Sequence, residues 1–211
     1  MTTIGSCFGG RFPGLTAGAL LCLLLAAGCG GGMGNIRVDM PAYQPSGAQP
    51  PAPASPVSVR IEPVSDARAD SVGSYVGERT TLGDMSMGSV DVEPPPATVV
   101  AQVLRAELER MGHRIVASGE QASIGGRLLK FRLVTPATAV YWDVNGEIEL
   151  ELAVKRSTGA THAARYSATC TDRAYVPPGE EIIGKVFADC AGKLGASLRG
   201  DTALANFLAG R

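Results

Sequence analysis

The stretch VNGEIELELAV, Val144 to Val154, alternates apolar and polar positions from end to end. Val144, Gly146, Ile148, Leu150, Leu152 and Val154 fall on one side, and Asn145, Glu147, Glu149 and Glu151 on the other. A period of two is the signature of a strand with one buried face. The acidic row has to be solvated, so one side of the sheet is open and the other needs a cover. Asn145-Gly146 taken alone suggests a hairpin turn, but the unbroken alternation through it argues for a strand with a glycine inside.

The neighbours of this strand extend the pattern. Arg156–Ala160, RSTGA, reads as a turn, and beyond it Ala164, Tyr166, Ala168 and Cys170 alternate with Arg165, Ser167 and Thr169, which predicts an antiparallel hairpin of Val140–Lys155 with Ala160–Tyr175. Arg114–Ala117 and Ala122–Val134 read as further strands, and VSVRIEP opens the folded part at Val57. Pro94–Pro96 sets up a helix with an apolar stripe of Val99, Val100, Val103, Leu104, Leu108 and Met111, ending at Gly112. A second helix follows Pro177-Pro178-Gly179, with Glu180 and Glu181 complementing its dipole and a stripe through Ile182, Ile183, Val186, Phe187, Cys190, Leu194 and Leu198. Asp201 can cap a short last helix through Phe207. This order predicts an α+β domain over 57–211, a mainly antiparallel sheet with two principal helices packed on one face as a two-layer sandwich.

Residues 66–93 are the least regular part, rich in Gly, Ser and Asp, with weak strand candidates at Tyr75–Thr80 and Ser86–Val92. Two readings stay open. Either this is a contact loop presenting Tyr75, Leu82, Met85 and Met87 to a partner, since binding groups concentrate on long loops, or it forms extra strands that bury those side chains as core.

The N-terminus addresses the chain rather than shaping the domain. Arg11 supplies a basic start, Leu15–Ala27 an apolar core shorter than the roughly 20 residues of a membrane span, and Ala26-Ala27-Gly28 small residues before Cys29. That is the pattern of a lipoprotein signal, 1–28, with Cys29 carrying diacylglycerol and an N-acyl chain; an ordinary signal cut near Ala27 and an uncleaved anchor are the alternatives. Gly30 rather than Asp after Cys29 is consistent with an outer-membrane lipoprotein facing the periplasm. Residues 29–56, dense in Gly, Pro, Ala and Ser, are expected to be a disordered tether with an end-to-end distance of about 30 Å.

Of five cysteines, Cys7 and Cys22 leave with the signal and Cys29 takes lipid, so Cys170 and Cys190 remain. In an oxidising compartment such a pair usually bonds, and its loop of about 20 residues would contribute roughly 3 kcal/mol; two buried free thiols are the other reading. A formal net charge of −1 leaves no electrostatic footprint for nucleic acid. There is no GxSxG, GxxxxGK[ST], HExxH or CxxC motif. The two histidines, His113 and His162, suggest no triad, and Glu147, Glu149 and Glu151 read as solvation before they read as a cation site. No catalytic, metal or cofactor site is expected. Tyr141 and Trp142 are either core or contact surface, and Asp66 and Arg68 either a local turn contact or a partner-facing pair.

From Val57 to Phe207 the order of elements resembles the YajG-type lipoproteins of proteobacterial envelopes: a first strand running into VSDAR, a helix ending in ERMGHRIV, the strands IGGRLLKFRL and VNGEIELELAV, and a closing helix. The resemblance implies a layout similar to small lipoproteins that assist lipid-transport machinery, with no catalytic residues to carry over. Three functions follow as expectations: a non-catalytic binding or scaffolding lipoprotein with an envelope protein partner, a carrier of a lipid or small apolar molecule, and, last, an enzyme. Oligomeric state is not fixed by any of these features.

Overall fold

The protein was analysed as a computed structural model, which describes residues 33–48, 56–69 and 73–211. The signal, Cys29 and residues 49–55 lie outside the described residues. Three long strands dominate: β7 (Ala122–Thr135), β8 (Trp142–Arg156) and β9 (Thr161–Ala174), with β8 antiparallel to both neighbours. Val144, Gly146, Ile148, Leu150, Leu152 and Val154 of β8 are all buried, as their alternation requires. Asn145-Gly146 is strand, not turn, and the packing shows why glycine stands there. A Cβ at Gly146 would lie 2.8 Å from Val186 Cγ1 and 3.4 Å from Cys190 Sγ.

The other long edge of β7 is shared by three short strands, β2 (Ser58–Ile61), β3 (Ser65–Asp66) and β4 (Tyr75–Thr80), all parallel to it. β5 (Ser86–Glu93) forms a hairpin with β4, β1 (Ile36–Asp39) runs parallel to β5, and β6 (Arg114–Ile115) runs parallel to β2. The sheet of nine strands among the described residues is therefore mixed, not mainly antiparallel as its hairpins suggested. Parallel pairing needs a long crossover, and α1 (Pro96–Arg110) lies on the connections that lead from β2 to its parallel partner β6 and from β4 to its parallel partner β7.

β1 overturns part of the expected tether. Residues 33–48 are ordered against the domain, with Val38 and Met40 buried in the core and Ile36 and Tyr43 packed against it. The local alternation Ile36, Val38, Met40 is a short strand signal that the Pro- and Gly-rich composition around it conceals.

Proline at the first turn of α1 leads into buried Val99, Val100, Val103, Leu104 and Leu108. α2 (Glu180–Gly200) buries Ile183, Val186, Phe187, Cys190, Ala191, Leu194 and Leu198, and its Phe187 ring stacks on Phe131 of β7 at 4.5 Å between centroids. Asp201 caps α3 (Thr202–Ala209) by accepting from the Ala203 and Leu204 N–H groups. Both principal helices bury their stripes in one core cluster with the inward residues of the sheet, so the class is α+β. No helix among the described residues is long and apolar enough to cross a membrane.

Candidate functional site

The four residues expected to face a partner are divided between core and surface. Met87 is buried on β5 and Tyr75 is half-buried at the start of β4, whereas Leu82 and Met85 are exposed at the hairpin tip. The tip is a tight turn in which the Thr81 carbonyl accepts from Asp84 N–H at 3.1 Å and the Met85 carbonyl from Thr81 N–H at 2.9 Å. Both strand candidates in 66–93 are thus strands, and of the four named residues only the two at the tip are exposed. They read as weak because each is irregular: the pairing shifts register between Tyr75 and Gly77 and again between Arg79 and Thr80. Gly88, at φ +121°, lies so close to the Gly34 carbonyl that no side chain fits there.

Arg79 is the least expected residue of this region. Only 2 % of it is exposed, yet no carboxylate meets it among the described residues. Its guanidinium donates instead to three backbone carbonyls, those of Gly34, Met87 and Pro178, and burial lowers its pKa. The side chain ties three segments together at one end of the sheet. Arg68, by contrast, has its acid: it donates to both carboxylate oxygens of Asp66 at 2.8 and 2.7 Å and to the carbonyls of Gly73 and Tyr75. The hydrogen bond from Arg68 holds the Asp66 carboxyl below its usual range. The pair is a local clamp.

The acidic row of β8 is matched by cations from both neighbouring strands. Glu147 meets Arg132 at 3.0 Å, Glu149 meets Arg165 at 2.6 Å and Lys130 at 3.7 Å, and Glu151 meets Arg127 at 3.1 Å. Hydrogen bonding from Arg165 keeps Glu149 ionised more readily than a free glutamate. Among the described residues no group of three or more His, Cys, Asp or Glu is arranged to hold a metal. His113 is buried near the Val57 N–H, with its pKa lowered by burial, and His162 stacks on Phe207 at 5.3 Å. Trp142 donates its indole N–H to the Thr80 carbonyl at 2.8 Å and packs against the core, while Tyr141 meets Tyr175 edge-on.

A groove of about 630 Å³ runs between residues 40–46 and α2, lined by Met40, Tyr43, Cys170, Ala191, Gly192 and Lys193 among others. Small residues of α2 create the space. At one wall Tyr43 donates to Glu107 at 2.5 Å and Arg199 donates to the same carboxylate at 2.6 Å, which joins the N-terminal segment, α1 and α2 in one buried polar cluster. Gly195 is required here, because a Cβ would strike both the Tyr43 hydroxyl and Glu107. Cys170 and Cys190 are both buried, with their thiols unbonded. They are neighbours nonetheless: Cys170 pairs across the ladder with Gly146, whose carbonyl accepts from the Cys190 thiol at 3.3 Å. Burial, then a hydrogen bond shared with Cys170, pushes the Cys190 pKa upward.

Residues 48–209 match the model of a family described as uncharacterized lipoprotein, and the chain belongs to that family. This agrees with the resemblance read from its element order. Among solved structures it is similar to a Xanthomonas campestris protein, at 14 % identity and a TM-score of 0.56, covering 83 % of this chain and 98 % of that one. It is also similar to a minor lipoprotein from Acinetobacter baumannii, at 9 % identity and a TM-score of 0.41, covering 73 % and 94 %. A Neisseria meningitidis lipoprotein matches at 10 % identity and a TM-score of 0.35, covering 74 % and 100 %. No curated protein matches by sequence.

Proposed function

We propose that this chain is a Cys29-anchored lipoprotein of the bacterial envelope, facing the periplasm from the outer membrane, with a non-catalytic binding role accessory to an envelope transport or assembly complex. The observation that carries the binding role is the free edge of β9. This strand is 14 residues long and, among the described residues, pairs only with β8. A long open edge is a template for strand addition by another chain. Anchoring raises the local concentration of such an edge, so a weak contact suffices. Family membership supports the anchor, as does the sequence around Cys29.

Mass spectrometry of the mature N-terminus tests the anchor: a lipid-bearing Cys29 is expected, and lipid retained after Cys29→Ala refutes it. A photo-crosslinker at Ser167 of β9 tests the edge, with an envelope protein captured there and not from Thr158 in the β8–β9 turn. A second reading, a carrier of a lipid or small apolar molecule, is favoured by the groove beside α2, whose volume falls in the range of small-ligand sites. Organic extraction of the purified protein distinguishes the two: a stoichiometric lipid beyond the anchor supports the carrier.

A further inference from the structure

The exposed large apolar side chains of the described residues are not scattered. They are Met33, Leu82, Met85, Val134, Val140, Tyr175 and Val176, between 39 and 83 % exposed, and the strand register puts them all at one end of the sheet. Thr80 at the end of β4 pairs with Ser86 at the start of β5, which places Leu82 and Met85. Arg79 pairs with Thr135 at the end of β7, which places Val134. Trp142 at the start of β8 pairs with Ala174 at the end of β9, which places Val140, Tyr175 and Val176. Gly34 N–H donates to the Met87 carbonyl at 2.8 Å, which places Met33. The far end of the long strands, with its turn at Arg156–Ala160, carries none of them among the described residues. Clustering of this kind marks an interaction surface.

The chain path says what covers it. Arg79 holds the Gly34 carbonyl together with those of Met87 and Pro178, so the backbone enters the domain at this same end. Only three residues, Gly30–Gly32, lie between Cys29 and Met33, so the four steps from one to the other reach at most about 14 Å when fully extended. An anchor at Cys29 cannot hold the bilayer farther away than that, and the exposed apolar side chains lie around the point of entry. Aromatic and cationic groups of the kind that settle at a membrane interface are present as well: Tyr175 is exposed beside Tyr141, and the Arg173 guanidinium stacks 3.8 Å over the Tyr141 ring.

We propose that this end of the sheet, with Met33, Leu82, Met85, Val140, Tyr175 and Val176, rests in the interfacial region of the bilayer that holds the Cys29 lipid. The inference rests on the lipidation reading above. The domain is then docked and oriented on its membrane rather than swinging on a leash of about 30 Å.

The test uses the full chain, exported and processed from its own signal, purified and reconstituted into vesicles of phosphatidylethanolamine and phosphatidylglycerol. Leu82→Cys, Val140→Cys and the far-end control Thr158→Cys are each labelled with an environment-sensitive fluorophore, Cys170 and Cys190 being buried and slow to react. Nitroxide-bearing lipids should quench the labels at 82 and 140 several-fold more than the label at 158. Equal quenching at all three positions, with the mass of the lipid present on Cys29, overturns the docking and leaves the anchor standing. Shielding at 82 and 140 without lipid quenching shows a protein occupant and also overturns it. A mature protein with no lipid on Cys29 overturns both readings. All three substitutions are at exposed positions, and an unchanged melting temperature checks that each variant is folded.

Discussion

Glu107 shows how a single side chain can be decisive and yet inconspicuous. It is 1 % exposed on α1 and receives the hydroxyl of Tyr43 and the guanidinium of Arg199. Removing one partner of a buried pair leaves the other charge without compensation, at a cost of about 3–5 kcal/mol. Glu107→Ala should lower unfolding stability in urea by that order, with Arg199 and Tyr43 left unsatisfied; a loss below about 0.5 kcal/mol, typical of a surface site, would show that the cluster does not form. A signal for it was present in the sequence. Glu107 follows Val103 and Leu104 at helical spacings of four and three, so it lies on the apolar stripe, where a carboxylate requires a buried partner. The identity of the partners, from residues 43 and 199, is a matter of tertiary arrangement and had no local trace. Arg79 was equally hidden, because its acceptors are backbone carbonyls that any sequence would provide.

At the scale of elements, legibility followed regularity. β8 and β9 kept strict alternation and were read almost to the residue, Gly146 included. β4 and β5 read only as weak candidates, since two register shifts break their period, and for the same reason the sequence leaves Met87, buried in the structure, open between core and contact surface. β1 was missed because four residues of strand cannot outweigh the Pro- and Gly-rich sequence around them. The two kinds of site respond differently to substitution. Val38 is 1 % exposed, and Val38→Ala should cost about 2 kcal/mol through lost burial and a residual cavity. Leu82→Ser, at the exposed hairpin tip, should stay within about 0.5 kcal/mol. Chemical denaturation of the two variants checks this; a silent Val38→Ala would restore the free tether.

At the scale of the whole molecule, the parallel pairings were out of reach of the sequence. Partners such as β2 with β7 or β1 with β5 are far apart in the chain, and alternation reports a face without reporting direction. The cysteines belong to this scale as well, since a bond between β9 and α2 would act mainly on the unfolded ensemble. We expect Cys170 and Cys190 to close in the oxidising compartment that export implies. The denatured, unreduced protein should then show no free thiol, and reduction should remove roughly 3 kcal/mol of stability; two titratable thiols in freshly isolated protein would mean that the pair stays as free as it is here.

The open edge of β9 gains a second meaning from its 14 residues. At about 3.3 Å per residue it is about 45 Å long, comparable to the full thickness of a bilayer with its headgroups. With the Ala174 end of the strand at the lipid surface, residue number along β9 becomes altitude, lowest at Ala174 and greatest at Thr161. A partner that adds a strand here would have its own height above the membrane set by the register in which it pairs. Slipping that register by two residues, the smallest step that keeps each side chain on its face, would raise or lower it by about 7 Å.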